Sequence, residues 1–213
     1  MRVAILLYDR MTALDAIGAY EVLRFGPDAE IVCVGKRKGE IRAGGGTLGL
    51  VVDKELAEVP SADIVLVPGG PGQEDLMTDT EVLDWLRAVD QTTTWTLSVC
   101  TGSLILAAAG LLRGRKATSH WLALDQLPGF GVEPVEQRVV FDGKYVTAAG
   151  VSASIDMGLA LANRMAGDSA AQAIQLGLEY DPQPPHDAGS PAKAPADLVA
   201  NMREHSRLFL YGN

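Results

Sequence analysis

The chain has 213 residues, 47% of them hydrophobic and 21% charged, which suits one large domain with a well-filled core. Its formal net charge is −9 and no stripe of Lys and Arg is visible, so neither nucleic acid nor an anionic membrane surface is an expected partner. Two cysteines, no stretch fitting a signal peptide and no apolar run of about 20 residues point to a cytoplasmic chain with free thiols.

The elements follow in order. RVAILLY (2–8) reads as a continuous apolar strand. Thr12 stands where a cap would open a helix over TALDAIGAYEVLRF, in which Leu14, Ile17, Tyr20, Val22 and Leu23 recur at helical spacing. EIVCVG (30–35) is a second buried strand, and KRKGEIRAGGGTLGLVVDKEL is a hairpin or extended excursion with GGG as its turn. ADIVLVPGG (62–70) is a third strand ending in a glycine pair, and TDTEVLDWLRAVDQ is an amphipathic helix. TWTLSV forms another strand and leads into a helix expected over about 101–112. RVVFDGKYVTAAG (138–150) reads as a hairpin turning at Asp142-Gly143. SASIDMGLALANRMAG and DSAAQAIQLGLEY are two helices with Gly167 between them.

Strands that are continuously apolar and alternate with helices imply a mostly parallel sheet covered on both faces. The expectation is one α/β domain over 1–180. Residues 181–213 then form a Pro-rich arm and a last helix, about 197–209, packing on that domain or on a dimer partner.

The chemistry centres on Cys100. It joins an apolar strand to a helix opened by Thr-Gly-Ser, and in open α/β sheets ligands bind beyond the carboxyl ends of strands. Such a join sets the side chain on a tight bend, and the helix N-terminus is expected to lower the thiol pKa. Cys33, inside EIVCVG, reads as core. Gly69 and Gly70 of PGGPG could direct a backbone N–H at a substrate oxygen, beside the N–H of Thr101.

Asp15 lies among apolar residues in the first helix, where burial would raise its pKa and suit it to proton transfer. Glu21 is further along the same helix, and Asp156 reads as a first-turn acid answering the helix dipole. No His adjoins Cys100; His120, in RKATSHWLAL, follows a short strand and could approach it in space, whereas His186 and His205 read as exposed. No CxxC, HxH or HExxH spacing suggests a metal, and no GxGxxG or Walker loop suggests a nucleotide cofactor.

PGGPG, SVCTGSLILAAAGLLRGRKATSHW, GVSASIDMGLALA and LEYDPQPPHDAGSPAKA together resemble the DJ-1/PfpI (ThiJ) superfamily, in its isonitrile hydratase-like branch. The resemblance implies a flavodoxin-like sandwich of the class I glutamine amidotransferase type, a homodimer, no cofactor and Cys100 as nucleophile. It further implies hydration of an isonitrile to an N-substituted formamide, with Asp15 as the acidic partner and Thr101 as the hydroxyl residue beside the nucleophile. Glyoxalase- or deglycase-like action on small aldehydes, and non-enzymatic redox sensing at Cys100, are the alternatives.

Overall fold

The computed structural model describes residues 1–211, apart from the side chains at 208, 209 and 211; residues 212 and 213, the end of the expected 181–213 segment, lie outside the described residues. Strand β1 (Arg2–Leu6) leads to helix α1 (Ala13–Leu23), β2 (Glu30–Gly35), the hairpin β3 (Gly39–Arg42) and β4 (Gly49–Val52), and a short β5 (Lys54–Glu55). Next come β6 (Ile64–Val67), α2 (Gln73–Leu76), α3 (Thr80–Asp90), β7 (Trp95–Val99) and α4 (Gly102–Ala108). The rest comprises β8 (Lys116–Ala117), β9 (Glu133–Pro134), β10 (Val139–Asp142) and β11 (Tyr145–Ala148). Helices α5 (Ala153–Ala166), α6 (Asp168–Gly177), α7 (Ala196–Glu204) and α8 (Ser206–Tyr211) complete the chain.

The main sheet has seven strands in the order β10-β11-β7-β6-β1-β2-β5, all neighbours being parallel except the edge pair β10–β11. Its middle strands are the apolar runs: Val3 to Leu6 and Ile64 to Val67 are almost wholly hidden from solvent. A strand with helices on both faces has no solvent side, which is why these segments lack polar alternation. Helix α1 packs on α5, and α3 on α4. With right-handed crossovers, the two pairs cover opposite faces, giving a flavodoxin-like α/β sandwich.

Sheet order reverses at β1: the chain steps from β1 outward to β2, and β6 then takes the other side of β1. This switch opens a crevice at the carboxyl ends of β1 and β6, where such sheets bind ligands. The loops leaving β1, β6 and β7 all end there.

Several elements depart from expectation. Helix α4 ends at Ala108, well short of 112, because Gly110 takes a left-handed φ of +82° and turns the chain out. The hairpin turns at Gly143-Lys144, since Asp142 still pairs with Tyr145. Thr12 occupies the N-cap position of α1, but its side chain makes no capping bond. The last helix breaks at His205 into α7 and α8. Between α6 and α7 the chain is irregular, and Tyr180 donates to Asp156 Oδ2 at 3.1 Å. Leu210 of α8 reaches the main core. No helix is long and apolar enough to cross a membrane among the described residues.

Candidate active site

Cys100 is the sharp join between β7 and α4. Its φ is 57°, a left-handed conformation that costs an L-residue roughly 1–2 kcal/mol. Surrounding bonds hold it there. Its N–H donates to Ala148 O at 3.1 Å and Ala149 O at 2.9 Å, and its C=O accepts from Ser103 Oγ at 3.2 Å and Ser119 Oγ at 3.1 Å. The bend also needs glycines: a Cβ on Gly102 would lie 2.1 Å from Val67 O, and one on Gly69 would lie 2.4 Å from Thr101 N.

The thiol is 5% exposed. Burial pushes its pKa well above the usual range and the Asp15 charge pushes it further, while the N–H groups of Thr101 and Val151 pull the other way. The expected depression by the helix start is therefore reversed. Helix α4 is only seven residues long, and desolvation outweighs what its first N–H groups supply.

Asp15 is fully buried in the first turn of α1. Its Oδ2 accepts the Gly69 N–H at 2.8 Å. Its Oδ1 has no partner of good hydrogen-bond geometry, and the Cys100 thiol meets the same carboxyl group in a looser contact that favours the carboxylate. Desolvation dominates and lifts the Asp15 pKa from 3.8 to about 7. Asp15 and Cys100, 85 positions apart, are thus buried against one another.

The glycine pair is placed differently from expectation. The Gly69 N–H is engaged by Asp15, and the Gly70 N–H donates to Thr101 Oγ1 at 3.0 Å, so both hold the crevice together. The N–H groups facing the sulfur are those of Thr101 and Val151.

Glu21 is turned away to solvent, whereas His120 lines the cavity that Ser119, Ala149 and Val151 border. Glu21 pairs with Arg24 at 2.7 Å, with both side chains partly in solvent. His120 is neighboured by Trp121 and accepts the Leu122 N–H on Nδ1 at 3.3 Å, and burial lowers its pKa. Asp156, read as a dipole acid, is ion-paired with Arg138. Among the described residues no cluster of His, Cys, Asp and Glu could hold a metal ion.

The DJ-1/PfpI family pattern matches residues 1–164. The chain belongs to the DJ-1/PfpI family. It is similar to the isonitrile hydratase of Pseudomonas putida, 41% identical over 206 residues that cover 97% of this chain and 90% of that protein. A deglycase of Pyrococcus abyssi is 30% identical over 152 residues, covering 70% of this chain and 89% of that one. Among solved structures, a ThiJ/PfpI family protein from Pseudomonas syringae superposes with a TM-score of 0.94 at 37% identity, covering 99% of this chain and 88% of that one.

Three residues of this candidate site were not singled out from the sequence. Tyr8 is buried beside the pair, donates to Pro68 O at 2.9 Å, and has its phenol pKa raised by burial and then by Asp15 and Cys100. Ser119 holds the Cys100 carbonyl, and Val151 turns its N–H to the sulfur. Each comes from a loop remote in sequence, with no chemical signature to mark it. Ser119, Ala149 and Val151 also form a wall of a cavity of about 550 Å³, bounded elsewhere by Trp121, Pro191 and Arg203.

Proposed function

We propose that this protein hydrates isonitriles, R–N≡C, to N-substituted formamides, as a cofactor-independent lyase with Cys100 as nucleophile and Asp15 as acid and base. The observation that carries this reading is the buried pair itself: a thiol and a carboxyl group, with the carboxyl pKa near 7, at the carboxyl ends of the strands. The similarity to an isonitrile hydratase over nearly the whole chain supports it.

The pair supplies the chemistry in two stages. In the first, Cys100 Sγ bonds to the isonitrile carbon while the thiol proton passes through Asp15 to that same carbon. The product is a thioimidate, R–N=CH–S–Cys. In the second, Asp15 takes a proton from water as its oxygen attacks the CH carbon. The proton then returns to nitrogen, the C–S bond breaks and R–NH–CHO leaves; the second proton of water restores the thiol. A carboxyl group with a pKa near neutrality can both give and accept protons in this sequence. The N–H groups of Thr101 and Val151 stabilise negative charge developing on sulfur.

Oxidation sensing begins at the same thiol, and a stable sulfinate on Cys100 after mild peroxide, together with absent turnover, would favour it over hydration. Deglycase or glyoxalase action begins with the same thiol, and lactate formation from methylglyoxal separates it from hydration. The reading includes a cytoplasmic homodimer; the exposed apolar residues Leu14 and Tyr20 on α1 are suited to cover by a second copy, which sedimentation would detect. Purified protein should convert aryl and alkyl isocyanides to formamides, with Cys100→Ala and Asp15→Ala inactive. Absence of turnover across such a panel would overturn the assignment.

A further inference from the structure

The cavity beside Cys100 carries information about the substituent R. Three of its lining residues touch the nucleophile: Ser119 and Ala149 hold its backbone, and Val151 presents its N–H to the sulfur. Cys100 and Asp15 are not among its lining residues, so the substituent of a substrate held on the thiol would enter this space past Ser119 and Val151. At about 550 Å³ the cavity is large enough for a ring bearing a further group. Trp121 and Leu124 line it with apolar surface.

Its charges are uneven. Arg138 lines the cavity, but its guanidinium is held by Asp156 and also donates to Ser152 Oγ at 3.2 Å. Arg203, from α7, lines it too, with its guanidinium 5.4 Å from the centre of the Trp121 ring. Among the described residues, no carboxylate forms an ion pair with Arg203. A chain of net charge −9 has thus placed at a wall of this space a guanidinium that has no ion-pair partner among the described residues. The forked N–H groups of such a cation match a carboxylate in two parallel hydrogen bonds. Glu136 also lines the cavity and opposes a second negative charge, which favours a monoanion over a phosphate dianion.

From this arrangement we propose that the preferred isonitrile carries a carboxylate on its substituent R, bound by Arg203 while Trp121 and Leu124 cover the apolar part. This rests on the isonitrile reading above. Arg203 is then a specificity-determining residue, supplied by the C-terminal helix region and absent from the reacting pair.

The test compares 4-isocyanobenzoate with its neutral analogue 4-isocyanobenzamide. In the wild-type protein, kcat/KM should favour the carboxylate by about tenfold or more, the scale of one charge-assisted contact. Arg203→Met keeps the stem over Trp121 and should bring the ratio near one; Arg203→Lys should restore part of it, and Glu136→Gln should raise it. A wild-type ratio at or below one, or a ratio indifferent to Arg203→Met, overturns the proposal. A second arm needs no turnover: calorimetry of 4-formamidobenzoate, the expected product, with the Cys100→Ser protein. Binding lost in the added Arg203→Met change supports the anion site even if no isocyanide reacts, in which case hydration alone falls. Turnover without carboxylate preference, and without Arg203-dependent binding, removes this inference and leaves hydration standing.

Discussion

The Asp15 carboxyl group and the Cys100 thiol meet in the crevice at the carboxyl ends of β1 and β6; the Asp15 charge opposes the Cys100 thiolate, whereas the thiol favours the Asp15 carboxylate. Burial is the larger cause for both, and it lifts Asp15 from 3.8 to about 7. An acid whose pKa is higher folded than unfolded contributes stability that is whole below about pH 4 and is lost as the pH rises through about 7. Asp15→Asn should therefore melt above the wild-type protein at pH 8, by a few kcal/mol at most, and lose that advantage at pH 4. Thermal melts at the two pH values read this directly. An equal gap at both would mean that another group titrates.

The same pair sets thiol reactivity. Removing the Asp15 charge takes away the second of the two causes that raise the Cys100 pKa, leaving burial. Alkylation of Cys100 by iodoacetamide at pH 8 should accelerate several-fold in Asp15→Asn, since the thiolate is the reacting form. Cys33, with its pKa raised to about 11 by burial and then by Asp53, is an internal reference whose rate should stay constant. Peptide mass spectrometry follows both sites in one sample.

The bend at Cys100 stores strain that substitution should reveal. Alanine keeps a Cβ at a φ of 57°, whereas glycine adopts that conformation freely. Cys100→Gly should be more stable than Cys100→Ala by about 1 kcal/mol, although glycine usually destabilises by its flexibility. Denaturant unfolding of the two variants decides it, and the opposite order would show an unstrained bend.

What the sequence disclosed and what it hid divide along local and non-local lines. The apolar strands, their junctions with helices and the acid inside an apolar stretch are local patterns, so the parallel sheet was legible, and Cys100, Asp15 and Thr101 could be picked out as candidates. Glu21 could have been set aside as well. At about 100° per residue, six positions beyond Asp15 turn it roughly 120° away around α1, and it pairs with Arg24 instead. Val151 and Ser119 act through a backbone N–H and a common hydroxyl, from segments joined to Cys100 only by the fold. The thiol pKa was misjudged for the same reason: a helix start is visible in a sequence, whereas the depth of burial depends on every packed neighbour.

The opposite edge of the sheet offers a contrast, because polar burial there serves structure. Asp90, 3% exposed at the end of α3, accepts from Thr96 Oγ1 at 2.7 Å and from Tyr145 Oη at 3.0 Å, with Lys144 Nζ 3.1 Å from its Oδ2. Thr96 and Tyr145 stand at the amino ends of β7 and β11, so this cluster ties strand starts whose far ends carry the candidate site. Lys144→Met would leave the Asp90 charge without its cation. Breaking a fully buried pair costs about 3–5 kcal/mol, and Lys144 is partly in solvent, so a loss of about 2 kcal/mol is expected. For a chain of this size that is a fall of roughly 4–8 °C in Tm. Because the strands separate the two edges, kcat/KM on isocyanides at 20 °C should remain within about twofold of wild type. A variant that melted normally, or lost turnover while still folded, would show that the two edges are not independent.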